Sequence, residues 1–428
     1  MAERSSDNLP AQSTGKRLVI LSQVYVPDPA SVGQHLHDFA AEMARRGHEV
    51  IVYCSSRGYD DPTHRYPKRQ KRDGVDIRRY SLPFFSKTNM LVRIAGSAWA
   101  QMALFFDALF TPRTSCIFYS TSPPLIGTTA TVVAKLKRLF TLGLGRRVSR
   151  VYWAMDLNPD QLVAMGKTRE GSLTYRFLEF ANRFVIRNAD LIVALDRFME
   201  GRLRLGGRRP NDVLVDPPWP HEKVQPPVPH DENPFRAQHG LQGKFVVMYS
   251  GNHSPANPLD TLLQATLCFK DDDGIRFLFV GGGGAKKQVN EHIAAHKLTN
   301  CLSLPYQPLE TLRYSLGAAD VHVVSLGADM VGIIHPCKVY GSMAVGRPIL
   351  FLGPRPSHVS DLLDAHQIGW HVEHGDVDAC ERAIRTMRAE AEATLHEMGS
   401  RAQTALSASL SQEILCSRLA DRVEALMA

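Results

Sequence analysis

The chain has 428 residues, 44% of them apolar and 22% charged, with a formal net charge of +7. That length accommodates two domains, each with its own hydrophobic core, and the balance of apolar and charged residues excludes a disordered or fibrous chain. Seven cysteines are scattered without a C-x-x-C pair, which excludes a cysteine-built zinc module and reads as reduced thiols.

The opening MAERSSDNLPAQSTGKR has no apolar run behind its charges, so residues 1–16 read as a loose tail and the expected address is cytoplasmic. From Arg17, RLVILSQVY is an apolar strand followed by a Pro-rich loop. Leu36, Phe39, Ala40 and Met43 then recur at i, i+3, i+4 and i+7, the stripe of an amphipathic helix, with Ser31 placed to cap its start. Arg45 and Arg46 fall in its last turn, Gly47 follows, and Val50–Tyr53 is the next strand. A β-loop-α-β unit of this kind implies a parallel sheet, with a ligand crevice at the C-terminal ends of its strands.

Basic residues gather at Lys68, Arg69, Lys71 and Arg72, and again at Lys135, Lys137, Arg138, Arg146, Arg147 and Arg150. They lack the interleaved stacking aromatics of a nucleic-acid module, so no nucleic-acid partner is expected. A solvated basic face and a patch for an anionic membrane both fit. Between the clusters, Leu91–Phe110 is apolar but broken by Arg93, Gln101 and Asp107, which excludes a membrane span. Its Trp99, Phe105, Phe106, Leu109 and Phe110 fit either a core helix or a helix lying in a membrane interface. The segments SCIFYSTSPPLIG, RVYWAMDLNPD and ADLIVALDRF continue the strand-and-loop alternation, and residues 17–215 form the first expected domain.

Six prolines in DPPWPHEKVQPPVPHDEN can sustain neither helix nor inner strand, so residues 216–242 read as a linker. The alternation restarts with GKFVVMYSGN, PLDTLLQATLCF and IRFLFVGGGG, and residues 243–408 form the second domain. Residues 409–428 read as a C-terminal helix able to cross back to the first. The fold class is α/β: two Rossmann-like, doubly wound domains facing a central cleft.

Helix N-termini hold anions without a catalytic side chain, and VGIIHPCKVYGSMAVGRPIL has the form of such a site. Lys338 begins its helix, Pro336 suits the preceding turn and Gly346 ends it. Lys338 reads either as a phosphate-facing ammonium or as a surface lysine, and His335 either as a ligand group or as a turn residue. Gly281–Gly284 follow a strand and permit close backbone approach. Asp156 and Asp160, in MDLNPD, fit hydrogen bonds to sugar hydroxyls or simple caps and turns. Asp271–Asp273 read as a solvated loop, not a metal motif, and no metal ligands are expected.

Taken in order over Arg17 to Met387, these segments resemble family-4 retaining glycosyltransferases of the GT-B fold, most closely the bacterial subgroup of capsule, colanic-acid-like and O-antigen assembly. The segments that carry the resemblance are QVYVPDPASVGQHLHDFAAEMARRGHEV, TSPPLIG, WAMDLNPD, YSGNHSPANPLDTLLQA, FLFVGGG, CLSLPYQPLETL, HPCKVYGSMAVGRPI and GWHVEHGDVDACERAI. The resemblance implies a donor site at Gly251, Asn252, His253, Gly281, Gly282, Asp329, Gly332, Ile333, His335 and Lys338. It implies an acceptor side at Gly33, Gln34, His37 and Asp160, with Lys338 and Asp156 as the catalytic candidates. The donor would be a nucleotide-sugar, UDP- or GDP-linked, with no other cofactor and no metal. The acceptor would be a saccharide or polyprenyl-linked sugar, with peripheral contact to an anionic membrane.

Three departures stand out. Where many members carry a pair of glutamates across the last loop and helix, this chain has Ile333 and Gly341, with Asp329 a nearby substitute. Asn252 and Asn257 stand where a basic pair is expected, and Met155 replaces a common histidine. A sugar-nucleotide epimerase of the same architecture and a non-catalytic nucleotide-sugar-binding protein are the rival readings.

Overall fold

The computed structural model describes residues 15–28, 30–58, 63–81, 90–140, 147–205, 207–220, 224 and 226–428. Residues 1–14 of the expected tail, Arg146 of the second basic cluster and residues 221–223 and 225 of the expected linker lie outside them.

The first half opens on β1 (Arg17–Leu21), α1 (Ser31–Arg45) and β2 (Glu49–Ser55). A hairpin of β3 (Arg69–Arg72) and β4 (Val75–Tyr80) leads to α2 (Met90–Phe110), β5 (Thr114–Tyr119), α3 (Ile126–Phe140) and β6 (Ser149–Trp153). Then come α4 (Asp160–Ala164), α5 (Leu173–Asn188), β7 (Leu191–Ala194), α6 (Arg197–Leu203) and β8 (Val213–Val215). The eight strands pair in the order β3-β4-β2-β1-β5-β6-β7-β8, and only the β3–β4 hairpin is antiparallel.

The second half runs α7 (Pro234–Gln238), β9 (Phe245–Ser250), α8 (Asp260–Leu267), β10 (Ile275–Val280), α9 (Lys286–His296) and β11 (Cys301–Leu304). It continues with α10 (Leu312–Gly317), β12 (Val321–Ser325), α11 (Lys338–Ala344), β13 (Ile349–Leu352), α12 (His358–His366) and β14 (Gly369–Val372). Three helices close the chain: α13 (Val377–Ala389), α14 (Glu392–Ser409) and α15 (Gln412–Met427). Its sheet is wholly parallel, in the order β11-β10-β9-β12-β13-β14.

Both sheets are doubly wound, because strands such as LVIL, VVMY and ILFL are apolar at successive positions and must be covered on both faces. Right-handed crossovers put α1 on one face of the first sheet and α2, α3 and α5 on the other. The strand order reverses between β1 and β5 in the first sheet and between β9 and β12 in the second. Loops leaving strands at such reversal points splay apart and leave a crevice, which is where ligands bind in open α/β sheets.

The last helix returns to the first sheet. Leu415, Leu419, Ala420, Val423 and Met427 of α15 belong to the same core cluster as β1, β5 and β6. Arg46 at the end of α1 pairs with Asp421 at 2.6 Å and Glu424 at 2.7 Å, and the Ser149 hydroxyl donates to the Leu426 carbonyl at 2.7 Å. Trp219, at the start of the Pro-rich segment, is buried and donates its indole N–H to Asp38 at 2.9 Å.

Two local expectations are corrected. Ser31 does not cap α1: Ala30 occupies the cap position with no side-chain bond, and Ser31 lies within the helix beside His35. In α2 the two readings divide by face. Leu104 and Ala108 are buried, with Phe105 and Leu109 packed against the same core, whereas Trp99, Met102, Phe106 and Phe110 point outward, Phe110 to 75% exposure.

Truncating Leu419, fully buried in the first domain's core, should cost that domain about 2–5 kcal/mol in Leu419→Ala. Urea unfolding followed by the tryptophans of the first domain measures it; a loss confined to the second domain's transition would contradict the placement of α15.

Candidate active site

The loops leaving β9 and β10 interlock through their glycines. Gly281 has φ +119°, and a Cβ there would lie 2.1 Å from the Gly251 carbonyl oxygen. Gly283 has φ +118°, with the Asn252 side chain and the His253 backbone equally close to any added Cβ. The His253 amide donates to the Gly282 carbonyl at 2.7 Å. The two loops thus form one shelf at the C-terminal edge of the second sheet.

Lys338, the first residue of α11, lies across this shelf. A Cβ on Gly251 would meet the Lys338 Cε at 2.4 Å, the ammonium sits 5.1 Å from the Tyr249 ring centroid, and Nζ donates to Asn257 Oδ1 at 3.3 Å. No carboxylate pairs with it among the described residues, and burial pushes its pKa down to about 8. An ammonium drawn out of water with only a neutral amide and an aromatic face beside it is a binding position for an anion. Next to it lies a hollow of ≈ 230 Å³ lined by His253, Ser254, Asn257, Ala285 and Gln288. His253 donates from Nδ1 to the Gly251 carbonyl at 3.1 Å, has no partner among the described residues at its buried Nε2, and is pushed down to about 4, first by burial and then by Lys286.

The facing wall comes from the loop after β6. Asp156 is half-buried, and burial raises its carboxyl to about 6. Its backbone is pinned by Thr121, whose hydroxyl accepts from the Met155 and Asp156 amides at 3.1 and 3.2 Å. Cys337, just before α11, lies within electrostatic reach of both Lys338 and Asp156, so the two catalytic candidates share its neighbourhood. The walls are joined directly, since the Leu157 amide donates to the Ile333 carbonyl at 3.0 Å.

Several sequence-derived candidates are engaged by other groups of the protein. Gly33 is packed by the Tyr25 backbone, 3.1 Å from an added Cβ. His37 is buried, with Nδ1 on the Tyr25 hydroxyl and Nε2 on Asp73. Asp160 is held by Arg208 at 2.6 Å, in a network with Glu179. His335 is bonded through Nδ1 to Asp196 at 2.9 Å and through Nε2 to Tyr340 at 2.8 Å, which leaves neither nitrogen for phosphate. Gly332 (φ +69°) and Ile333 form the seam with the first domain, since a Cβ on Gly332 would lie 2.6 Å from the Phe198 backbone and Ile333 enters the first core. Gln34 is half-buried on α1, and Asp329 is exposed on the turn before the seam.

Tyr249, Asp196, Tyr340 and His358 were not singled out from sequence. Tyr249 reads there as one more apolar strand residue, Tyr340 and His358 acquire their partners only when α11 and α12 pack together, and Asp196 finds His335 only across the domains. Asp271–Asp273 are a solvated loop, with Asp272 and Asp273 paired to Arg388, Lys244 and Arg276. A larger hollow of ≈ 940 Å³ lies along α1 and the start of α15, lined by His37, Asp38, Glu413 and Cys416; it shares no residue with the shelf.

Residues 31–219 match the glycosyl transferase 4-like domain, and residues 231–405 match glycosyl transferases group 1. The chain is 26% identical over 375 residues to WbjE of Pseudomonas aeruginosa, provisionally named a glycosyltransferase, with 86% of this chain and 88% of the relative covered. It is 22% identical over 384 residues to WcaI of Escherichia coli K12, provisionally named a colanic acid biosynthesis glycosyl transferase, with 86% and 91% covered. The fold is similar to that of Anabaena HepE in complex with UDP and glucose, with a TM-score of 0.70 and 16% identity over 96% of this chain and 100% of that one.

Replacing Gly251 by alanine forces a Cβ into Lys338 at a φ of +134°, a conformation that disfavours any L side chain. The Gly251→Ala protein should remain folded, with stability lower by about 1–3 kcal/mol, and lose nucleotide binding in calorimetry.

Proposed function

We propose, on the premise that this chain is a GT-B glycosyltransferase belonging to the glycosyl transferase 4-like and group 1 families, that it moves a sugar from UDP or GDP to a saccharide or polyprenyl-linked acceptor, with retention, in cell-surface polysaccharide assembly. The observation that carries this reading is Lys338: a half-buried cation with no anion bonded to it among the described residues, laid across a glycine shelf at the reversal point of the second sheet. A nucleotide diphosphate supplies the missing charge. As the bond between sugar and phosphate breaks, negative charge grows on the departing oxygen, and a fixed ammonium stabilises that state more than the ground state.

No dedicated base is required in this scheme. The departing phosphate takes the acceptor proton on the face it leaves, so the new bond forms on the same side. Asp156, on the facing wall and ionised above about pH 6, accepts hydrogen bonds from sugar hydroxyls. The 230 Å³ hollow beside His253 is open to the nucleoside end of the donor. Gly341 has no carboxylate for a ribose, so the polar side chains of the hollow take on that contact. HepE, a protein of the same fold, has been captured with UDP and glucose, which supports a UDP-sugar here. The provisional names of WbjE and WcaI support the polysaccharide context. The matched domains are those of transferases, and no feature of the site favours an epimerase or a non-catalytic binder.

A membrane-borne acceptor is supported by the outward face of the first domain. Trp99, Met102, Phe106 and Phe110 of α2, Leu139 and Phe140 of α3, and Leu173, Phe177 and Phe180 of α5 are all exposed on helices that pack side by side. Nine large apolar side chains in one layer, among exposed Arg113, Lys135, Arg138 and Arg176, make a surface suited to anionic lipid. No helix among the described residues is long and apolar enough to cross a membrane.

Two measurements test these readings. Lys338→Ala should abolish most of the thermal shift from the preferred nucleotide and lower kcat about 10²–10³-fold. In the wild type, nucleotide affinity should fall as pH rises through about 8, because the ammonium titrates there. Over the same interval the free protein should gain stability, since the unfolded chain still binds the proton that the folded lysine has lost. Opposite trends in the two quantities identify Lys338; parallel trends would remove it from the site. Separately, the wild type should co-float with phosphatidylglycerol vesicles, and the double variant Phe106→Asp, Phe110→Asp should bind them about tenfold or more weakly while keeping its affinity for nucleotide. Equal flotation of both proteins would contradict the membrane face.

A further inference from the structure

Asp196 ends β7 and caps α6 in the first domain, one oxygen accepting from the Met199 amide at 2.8 Å. Its other oxygen meets His335 Nδ1 of the second domain at 2.9 Å, in a contact where the two side chains are 4% and 0% exposed. His358, at the start of α12, lies against His335 with ring centroids 4.3 Å apart and the rings tilted by 46°. One donor atom from each of Asp196, His335 and His358 lies within 4.8 Å of the other two. Tyr340 stands behind both imidazoles, its hydroxyl 2.8 Å from His335 Nε2 and 2.9 Å from His358 Nε2.

The charge of this cluster is incomplete. Among the described residues neither lysine nor arginine pairs with Asp196, and its only partners are imidazoles and one amide. A buried carboxylate so placed requires a cation, supplied either by a shared proton on His335 or by a metal ion.

We propose that Asp196, His335 and His358 form a domain-bridging site for a divalent transition metal of the zinc class. Two imidazoles and one carboxylate are a donor set suited to such ions. Ligands around a tetrahedral ion at about 2.0–2.2 Å stand roughly 3.3 Å apart. The Asp196–His335 pair must open by about 0.4 Å and His358 close by no more than about 1.5 Å, which side-chain rotation supplies. Asp196 Oδ2 and His335 Nδ1 already face each other at 2.9 Å. Coordination through Nδ1 displaces the proton between them and leaves Nε2–H to donate to the Tyr340 hydroxyl, the outer partner that fixes the ring. An ion held by ligands from both domains would act on how firmly the two domains hold together.

The experiment uses the full chain stripped with a chelator, then titrated with Zn²⁺ by calorimetry and with Co²⁺ by visible absorption. The expected result is one equivalent bound, a tetrahedral Co²⁺ band, and a thermal midpoint that rises with Zn²⁺ concentration. Asp196→Asn and His358→Ala should each lose the equivalent and the band, whereas Lys338→Ala keeps both. His358→Gln serves where alanine does not fold. Absence of stoichiometric binding to the wild type overturns the site, as does binding that survives in both ligand variants, which would mark an adventitious ion only. Neither result bears on donor binding, which is read independently with Lys338→Ala.

Discussion

The backbone bond from the Leu157 amide to the Ile333 carbonyl, 3.0 Å across the seam, holds the two sheets so that their reversal points face one another. Around it the loop before α11 is wedged into the first domain: Gly332 passes against Phe198, Ile333 joins the first core, and Arg202 reaches the Val331 carbonyl. The loop that carries Lys338 is therefore shaped by the domain it faces as much as by its own. Gly332 permits this by adopting a positive φ where a side chain would strike the Phe198 backbone. Without that wedge, Asp156 and Lys338 would have no fixed separation, and the site would be two half-sites.

Charged groups in the molecule fall into two kinds, and the contrast locates the chemistry. Arg208 is buried with Asp160 and Glu179, and Arg236 with Asp320 and three backbone carbonyls; such cations have their charge matched by a carboxylate and act as struts. Lys338 and Asp156 are also drawn out of water, yet among the described residues neither has an opposite charge bonded to it. Desolvation without compensation is unfavourable in the free protein and becomes useful only when a ligand supplies the partner.

Much of the fold was legible because its signals are local. The β1-α1-β2 unit follows from four apolar positions and Gly47, and α11 from Pro336, Lys338 and Gly346, all within a few residues of the element they define. The shelf was legible in part, since glycines after a strand announce a close approach without saying what approaches. Here it is another backbone, not a ligand alone. The candidates that prove tied to other side chains share one cause: His37 finds Asp73, Asp160 finds Arg208, and His335 finds Asp196, all far away in the chain. A polar residue near a strand end looks free in sequence until the fold brings its distant partner. The outward stripe of α2 was ambiguous for a related reason, because both of its faces are apolar and only packing decides which one the core takes.

The return of α15 to the first sheet has a consequence for how the chain is made. Leu415, Leu419 and Val423 complete a core whose other walls, β1, β5 and β6, leave the ribosome much earlier. During synthesis the first domain must wait, with an apolar groove open along its sheet, while the entire second domain is translated. Nascent chains of this kind cannot mature one lobe at a time from the N-terminus. A stop codon only a few turns early would leave both lobes intact in outline and the first one unsealed.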